Sequence, residues 1–263
     1  EPNNFDLLFW FGQNLLRAGR TEDGLKRLER VAAETDRFPE VYVVLGNHYY
    51  KQAQFRRARP AYERYLQLKP EVTAARAKLG NTYFKLKQYD DALAAFEQVR
   101  LQWPNNVLVL TNIGNAHFQL GNYPKAIEVL ELALKKEPDR QSVIFNLAQS
   151  LFQLERHEEA LGYYRQFLGF KPKSFNGHYF AGSSAMELGR GEEALKSLQR
   201  AHELKPTIAN PLYKMGVLHL RARNADAAEK HLLAARAIKD DAWIVSALGN
   251  VARQRGDFTQ AVK

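Results

Sequence analysis

The sequence predicts an all-α solenoid, a single stack of helical hairpins running through residues 1–263. Three observations predict it. Small residues recur at a spacing of 34, at Gly12, Gly46, Gly80, Gly114, Ala148, Gly182 and Gly216, with Gly249 one residue early. A second small residue follows each marker by twelve positions, at Gly24, Ala58, Ala92, Ala126, Ala160, Ala194, Ala228 and Ala261. Pro70, Pro104, Pro138, Pro172 and Pro206 close five of the units. A fixed period of this size is the mark of a repeat architecture in which each unit buries its apolar face against its neighbours.

The elements follow in order within every unit. Apolar residues come in two bursts at helical spacing, as in Leu79 and Tyr83 and then Leu93 and Phe96. Between the bursts lie short polar stretches such as Gly121-Asn122-Tyr123, which read as helix ends. The small marker on each helix lets the two helices of a hairpin approach closely. Four residues after the second marker stands a bulky partner: Leu28, Tyr62, Phe96, Leu130, Tyr164, Leu198 or Leu232. The closing proline cannot continue a helix. The first unit has none at that place, but Pro39, three residues later, suits the start of the next helix. Asp90-Asp91, Glu158-Glu159 and Glu192-Glu193 read as acidic first turns of second helices, where the helix dipole favours them. The units run 5–38, 39–72, 73–106, 107–140, 141–174, 175–208 and 209–241, with a partial unit at 242–263.

Leu45-Gly46-Asn47-His48-Tyr49, Ala58, Tyr62, Pro70 and then Leu79-Gly80-Asn81-Thr82-Tyr83, Ala92, Phe96, Pro104 carry a recognisable pattern. It resembles the tetratricopeptide repeat (TPR) family over essentially the whole chain. The Trp usual at the fourth position is absent, replaced by Leu8, Tyr42, Arg76, Leu110, Ile144, His178 and Leu212. The resemblance implies a right-handed solenoid and a protein-interaction role. Pro2-Asn3-Asn4 repeats the Pro104-Asn105-Asn106 that precedes the fourth unit, and Ala261-Val262-Lys263 stops inside a second helix. The expectation is therefore a segment of a longer array, starting at a processed or excised end without an initiator Met.

Catalytic chemistry finds no support in these residues. The chain has no Cys, which excludes disulfides, thiolate metal sites and Cys nucleophiles. It has neither a phosphate-binding Gly-x4-Gly-Lys-Ser/Thr loop nor a dinucleotide Gly-x-Gly-x-x-Gly element. The seven His are scattered without metal spacing, and His117 and His219 stand at the Tyr-like packing position of their units. No enzyme activity, cofactor or metal is expected. No apolar run is long enough to span a bilayer. A soluble protein of the cytoplasm or periplasm fits.

Function then rests on surface. The resemblance implies that positions two, five, six, nine, twelve and thirteen of each unit line a concave groove. Position nine reads Gln13, Asn47, Asn81, Asn115, Gln149, Ser183 and Val217, and Asn112 and Asn146 add carboxamides at position six. Such a column bonds the backbone of an extended peptide, or is a solvated choice after Gly. Arg17, Lys51 and Lys85 at position thirteen, with Lys78 at position six, make a cationic stripe that steers an acidic partner, or a solvated face. Tyr50 and Phe84 at position twelve, and Phe145, Tyr179 and Tyr213 at position five, are the candidate aromatic contacts, although most aromatics at these positions belong to hairpin packing. Phe145, Tyr179 and Tyr213 suggest a more apolar half-groove.

The family's chaperone-tail clamp needs Lys or Arg at position five of a unit with Asn at nine, and no unit meets it. Binding of chaperone C-terminal tails is not expected. The formal charge is +9, and residues 39–72 hold six basic against three acidic residues, residues 73–106 five against three. Arg56, Arg57 and Arg59 open a second helix, as an edge patch for an acidic partner or as a tolerated surface. The reading is a non-catalytic scaffold or adaptor holding a protein or peptide partner of acidic character. The Arg- and Ala-rich composition points to a bacterial assembly such as a pilus, secretion or polysaccharide-export machine. The alternative is an RNA-binding helical repeat using the basic second and third repeats; a period of 34, not 35, and a modest charge disfavour nucleic acid.

Overall fold

The computed structural model describes residues 4–257, which form fifteen α-helices and no strand. The tails at 1–3 and 258–263, on which the expected flanking repeats and the marker Ala261 fall, lie outside the described residues. The chain divides into two compact units, 1–136 and 137–263.

The first unit holds four hairpins. They are α1 (Phe5–Arg17) with α2 (Thr21–Glu34), α3 (Glu40–Lys51) with α4 (Phe55–Leu68), α5 (Thr73–Lys85) with α6 (Tyr89–Gln102), and α7 (Val107–Gln119) with α8 (Tyr123–Lys136). The second unit holds α9 (Gln141–Gln153) with α10 (His157–Phe170), α11 (Phe175–Glu187) with α12 (Gly191–Leu204), α13 (Asn210–Arg221) with α14 (Ala225–Ile238), and α15 (Ala242–Arg255). Within each unit every helix packs on the next, and first helices also touch, as α5 does α7 and α13 does α15. The all-α solenoid of helical hairpins read from the sequence is the fold.

The two markers work as the spacing predicts. A Cβ added to Gly80 would stand 2.7 Å from Phe96 Cε1, and one added to Gly114 would stand 2.6 Å from Leu130 Cγ. The glycine is thus the floor on which the bulky residue sixteen positions later rests. Ala58, Ala92, Ala126, Ala160, Ala194 and Ala228 are fully buried, as are Leu28, Leu130, Tyr164, Leu198 and Leu232. Each large side chain so buried contributes roughly 1.5–3 kcal/mol. Pro39 caps the start of α3. Asp90-Asp91, Glu158-Glu159 and Glu192-Glu193 stand in first turns as expected.

Arginines tie neighbouring hairpins together. Arg37 pairs with Asp6 at 2.6 Å and Arg64 with Asp36 in the first unit. Arg165 pairs with Glu193 at 2.5 Å and Arg190 with Glu158 at 2.7 Å in the second. Of the three arginines that open α4, Arg57 reaches Glu29 at 2.8 Å and lies 4.1 Å over the Tyr49 ring, while Arg59 reaches Glu63 at 3.6 Å. Internal partners therefore explain Arg57 and Arg59 without an outside ligand. Arg56 is exposed.

Candidate functional site

In the first unit the first helices α3, α5 and α7 bring the position-nine and position-six residues of successive repeats together. Asn47 Oδ1 accepts from Lys78 Nζ at 2.6 Å and from the Tyr62 hydroxyl at 2.9 Å. Asn81 Oδ1 accepts from Asn112 Nδ2 at 3.1 Å. An ammonium only donates, so it fixes which way the Asn47 amide points. Its oxygen is used inside the protein, and its NH2 group remains to meet a ligand acceptor. Asn81 is set the same way. Asn47 and Asn81 therefore present donors, which suit carbonyl and carboxylate oxygens, while Asn112, having donated to Asn81, keeps its oxygen as an acceptor.

The cations stand beside it. Asn47, Tyr50, Lys51, Tyr62, Lys78 and Asn81 line a cavity of about 320 Å³. Burial, and then the Lys51 charge, hold the Lys78 ammonium below the ordinary lysine pKa. Desolvation and a like charge both raise the cost of the charged form, and an incoming anion offsets that cost. Among the described residues no carboxylate lies in ion-pair range of Arg17, Lys51, Lys78 or Lys85, whereas Arg20, Arg37, Arg57, Arg59, Arg64 and Arg100 of the same unit all have one. Arg17, Lys51 and Lys85 end their helices exposed. Asn115 is half-buried at position nine of α7.

The aromatic candidates divide. Tyr50 meets Phe55 edge-on at 5.2 Å yet also lines the cavity. Phe84 rests edge-on against Tyr89 at 5.3 Å, across its own hairpin. In the second unit Phe145 turns into a ring cluster, 4.9 Å from Phe167, 5.8 Å from Tyr164 and 6.2 Å from Phe180. Tyr179 stacks on Phe175 at 5.9 Å, and Lys214 Nζ lies 5.7 Å from its ring centroid. Tyr213 meets Trp243 at 4.1 Å and 84°. Asn146 and Gln149 are half-buried on α9.

Sequence reasoning missed Lys214 and Trp243. Lys214 is a position-six cation like Lys78, and burial lowers its pKa as well. Trp243 takes position two of the partial unit at 242–263, a column from which no candidate was drawn. With Tyr213, Val217, Leu220, Arg221 and neighbouring residues of α15 it lines a second cavity, of about 440 Å³.

Among the described residues no group of three or more His, Cys, Asp or Glu is placed to hold a metal. His219 and His231 stack on each other at 5.3 Å, and His117 is buried. No described helix is long and apolar enough to cross a membrane.

The tetratricopeptide repeat family model matches four overlapping stretches, residues 43–107, 78–143, 111–175 and 145–211. Among solved structures, the C-terminal part of a TPR repeat-containing protein from Cytophaga hutchinsonii is 16% identical, with a TM-score of 0.71 over 91% of this chain and 99% of that one. YrrB, described as a TPR protein with an unusual peptide-binding site, is 21% identical, with a TM-score of 0.62 over 72% of this chain and 96% of its own. PilW, a type IV pilus biogenesis factor, is 19% identical, with a TM-score of 0.64 over 73% and 90%. At these identities the likeness is one of fold. No curated protein matches the chain.

Proposed function

This chain belongs to the tetratricopeptide repeat family, and from that premise we propose that it is a non-catalytic scaffold that holds an acidic segment of a partner protein along the first helices of its repeats. The observation that carries the reading is the placing of Lys51 and Lys78 beside the Asn47 and Asn81 amides in one cavity, with no carboxylate in ion-pair range of either lysine or of Lys85 among the described residues. Acidic side chains supply the missing charge, and the partner's backbone carbonyls meet the Asn47 and Asn81 amides. The segment belongs to a larger bacterial envelope assembly: the same fold serves PilW, a type IV pilus biogenesis factor, and the repeats are Arg- and Ala-rich.

The test is a fluorescence-anisotropy titration with a labelled dodecapeptide of Glu, Gly and Ser. Binding is expected to weaken as salt rises. Replacing both Lys51→Glu and Lys85→Glu should weaken it by about tenfold or more and flatten the salt dependence, because each exposed charge contact is worth up to about 1 kcal/mol and reversal adds repulsion. Equal affinity for the native protein and the double variant would remove the lysine stripe from the reading.

A further inference from the structure

The second cavity holds two departures from the repeat pattern. At position nine the earlier repeats carry Gln, Asn or Ser, but α13 carries Val217. At position two they carry Asp6, Glu40, Ala74, Leu108, Ser142, Asn176 and Asn210, but α15 carries Trp243. Both departures fall in one place. Val217 and Leu220 supply an aliphatic wall and the Tyr213 ring stands at 84° to Trp243, while Ser246, Asn250 and Gln254 of α15 line the other side with polar groups. Two rings at a right angle make a corner that a third ring completes by stacking on one and meeting the other edge-on. The volume of about 440 Å³ admits one large side chain. None of the residues lining it is acidic. Arg221 lies at its edge, with a 3.5 Å contact to the Met186 carbonyl and, among the described residues, no carboxylate in ion-pair range.

We propose that this pocket between α13 and α15 takes an aromatic side chain of the partner segment, walled by Tyr213, Trp243 and Val217, with a neighbouring acidic residue of the segment on Arg221. The proposal rests on the reading above that first helices hold an acidic partner segment, and adds to it, within the second unit, a requirement for one ring. Aromatic anchors carry a large share of binding energy at interfaces, so this contact sets which segment the second unit accepts.

Two labelled dodecapeptides of Glu, Gly and Ser, one with a central Phe and its twin with Ala there, separate the two ideas. The native 263-residue chain is expected to bind the Phe peptide about tenfold more tightly than the Ala peptide. Val217→Asn, which restores the amide of the earlier repeats on a half-buried surface, should bring the two affinities within about twofold of each other. Circular dichroism of that variant shows that the fold is intact. In a variant with Trp10→Phe and Trp103→Phe, both replaced rings being exposed, Trp243 is the remaining tryptophan. Its emission should shift with the Phe peptide and stay unmoved with the Ala peptide. Salt-sensitive binding that is equal for both peptides overturns the pocket and leaves the groove reading standing. Binding of neither overturns both.

Discussion

His117 shows how much a single position can hold. It occupies the place where other repeats carry Tyr, it is buried, and its Nδ1 has no hydrogen-bond partner. Burial first, and then Lys125, push its pKa below the ordinary 6.5, with Arg100 acting the same way and Glu97 and Glu128 opposing. The folded state therefore binds the proton less readily than the unfolded chain. Stability is full above the unfolded value of about 6.5 and is lost as pH falls from there towards the folded-state pKa. His231, whose pKa is lowered by burial and by its stacked neighbour His219, acts in the same sense. The urea midpoint should fall between pH 7.5 and pH 5.5, and His117→Gln should fall less over that interval. The burial of His117 was legible from its place in the period. The pairing of Asn47 with Lys78 was not, because it depends on how far one first helix is offset from the next, and spacing within a repeat says nothing of that.

Among the elements, the turn between the two helices of a hairpin is the most uniform part of the fold, and half of it leaves no trace in the sequence. Gly19, Gly121 and Gly189 adopt positive φ of 72–78° there, as Gly256 does at 80° after α15. Ala53, Lys87, Glu155 and Arg223 adopt the same left-handed conformation, at 55–62°, with side chains that resist it. Lys87→Gly and Glu155→Gly should each raise stability by about 0.5–1 kcal/mol, measured as a higher denaturation midpoint, since relief of the strained conformation outweighs the added freedom of the unfolded chain. Unchanged or lowered midpoints would show that these turns carry no strain. Helix starts and ends were readable from Pro70, Pro104 and Gly121. The turn at Lys87 was readable only by analogy, since no residue type announces it.

At the scale of the molecule, a repeat array distributes its stability over neighbour contacts, so damage should stay local. Phe96→Ala removes a fully buried ring from the contact with Gly80 and should cost about 3–5 kcal/mol. Amide hydrogen exchange is the discriminating measurement. Exchange should quicken in α5, α6 and the hairpins beside them, while α11–α14 keep native protection. Uniform loss of protection would mean that the chain unfolds as one cooperative block. The pairing of Gly80 with Phe96 also has a genetic consequence. Marker and partner lie sixteen residues apart inside one repeat, as do Gly114 with Leu130 and Gly216 with Leu232. Recombination in steps of one period hands each repeat on with its own packing complete, and what it reshuffles is the order of residues such as Asn47, Lys78 and Val217 along the binding face. New partners can be sampled by rearranging old sequence, with no core having to be invented.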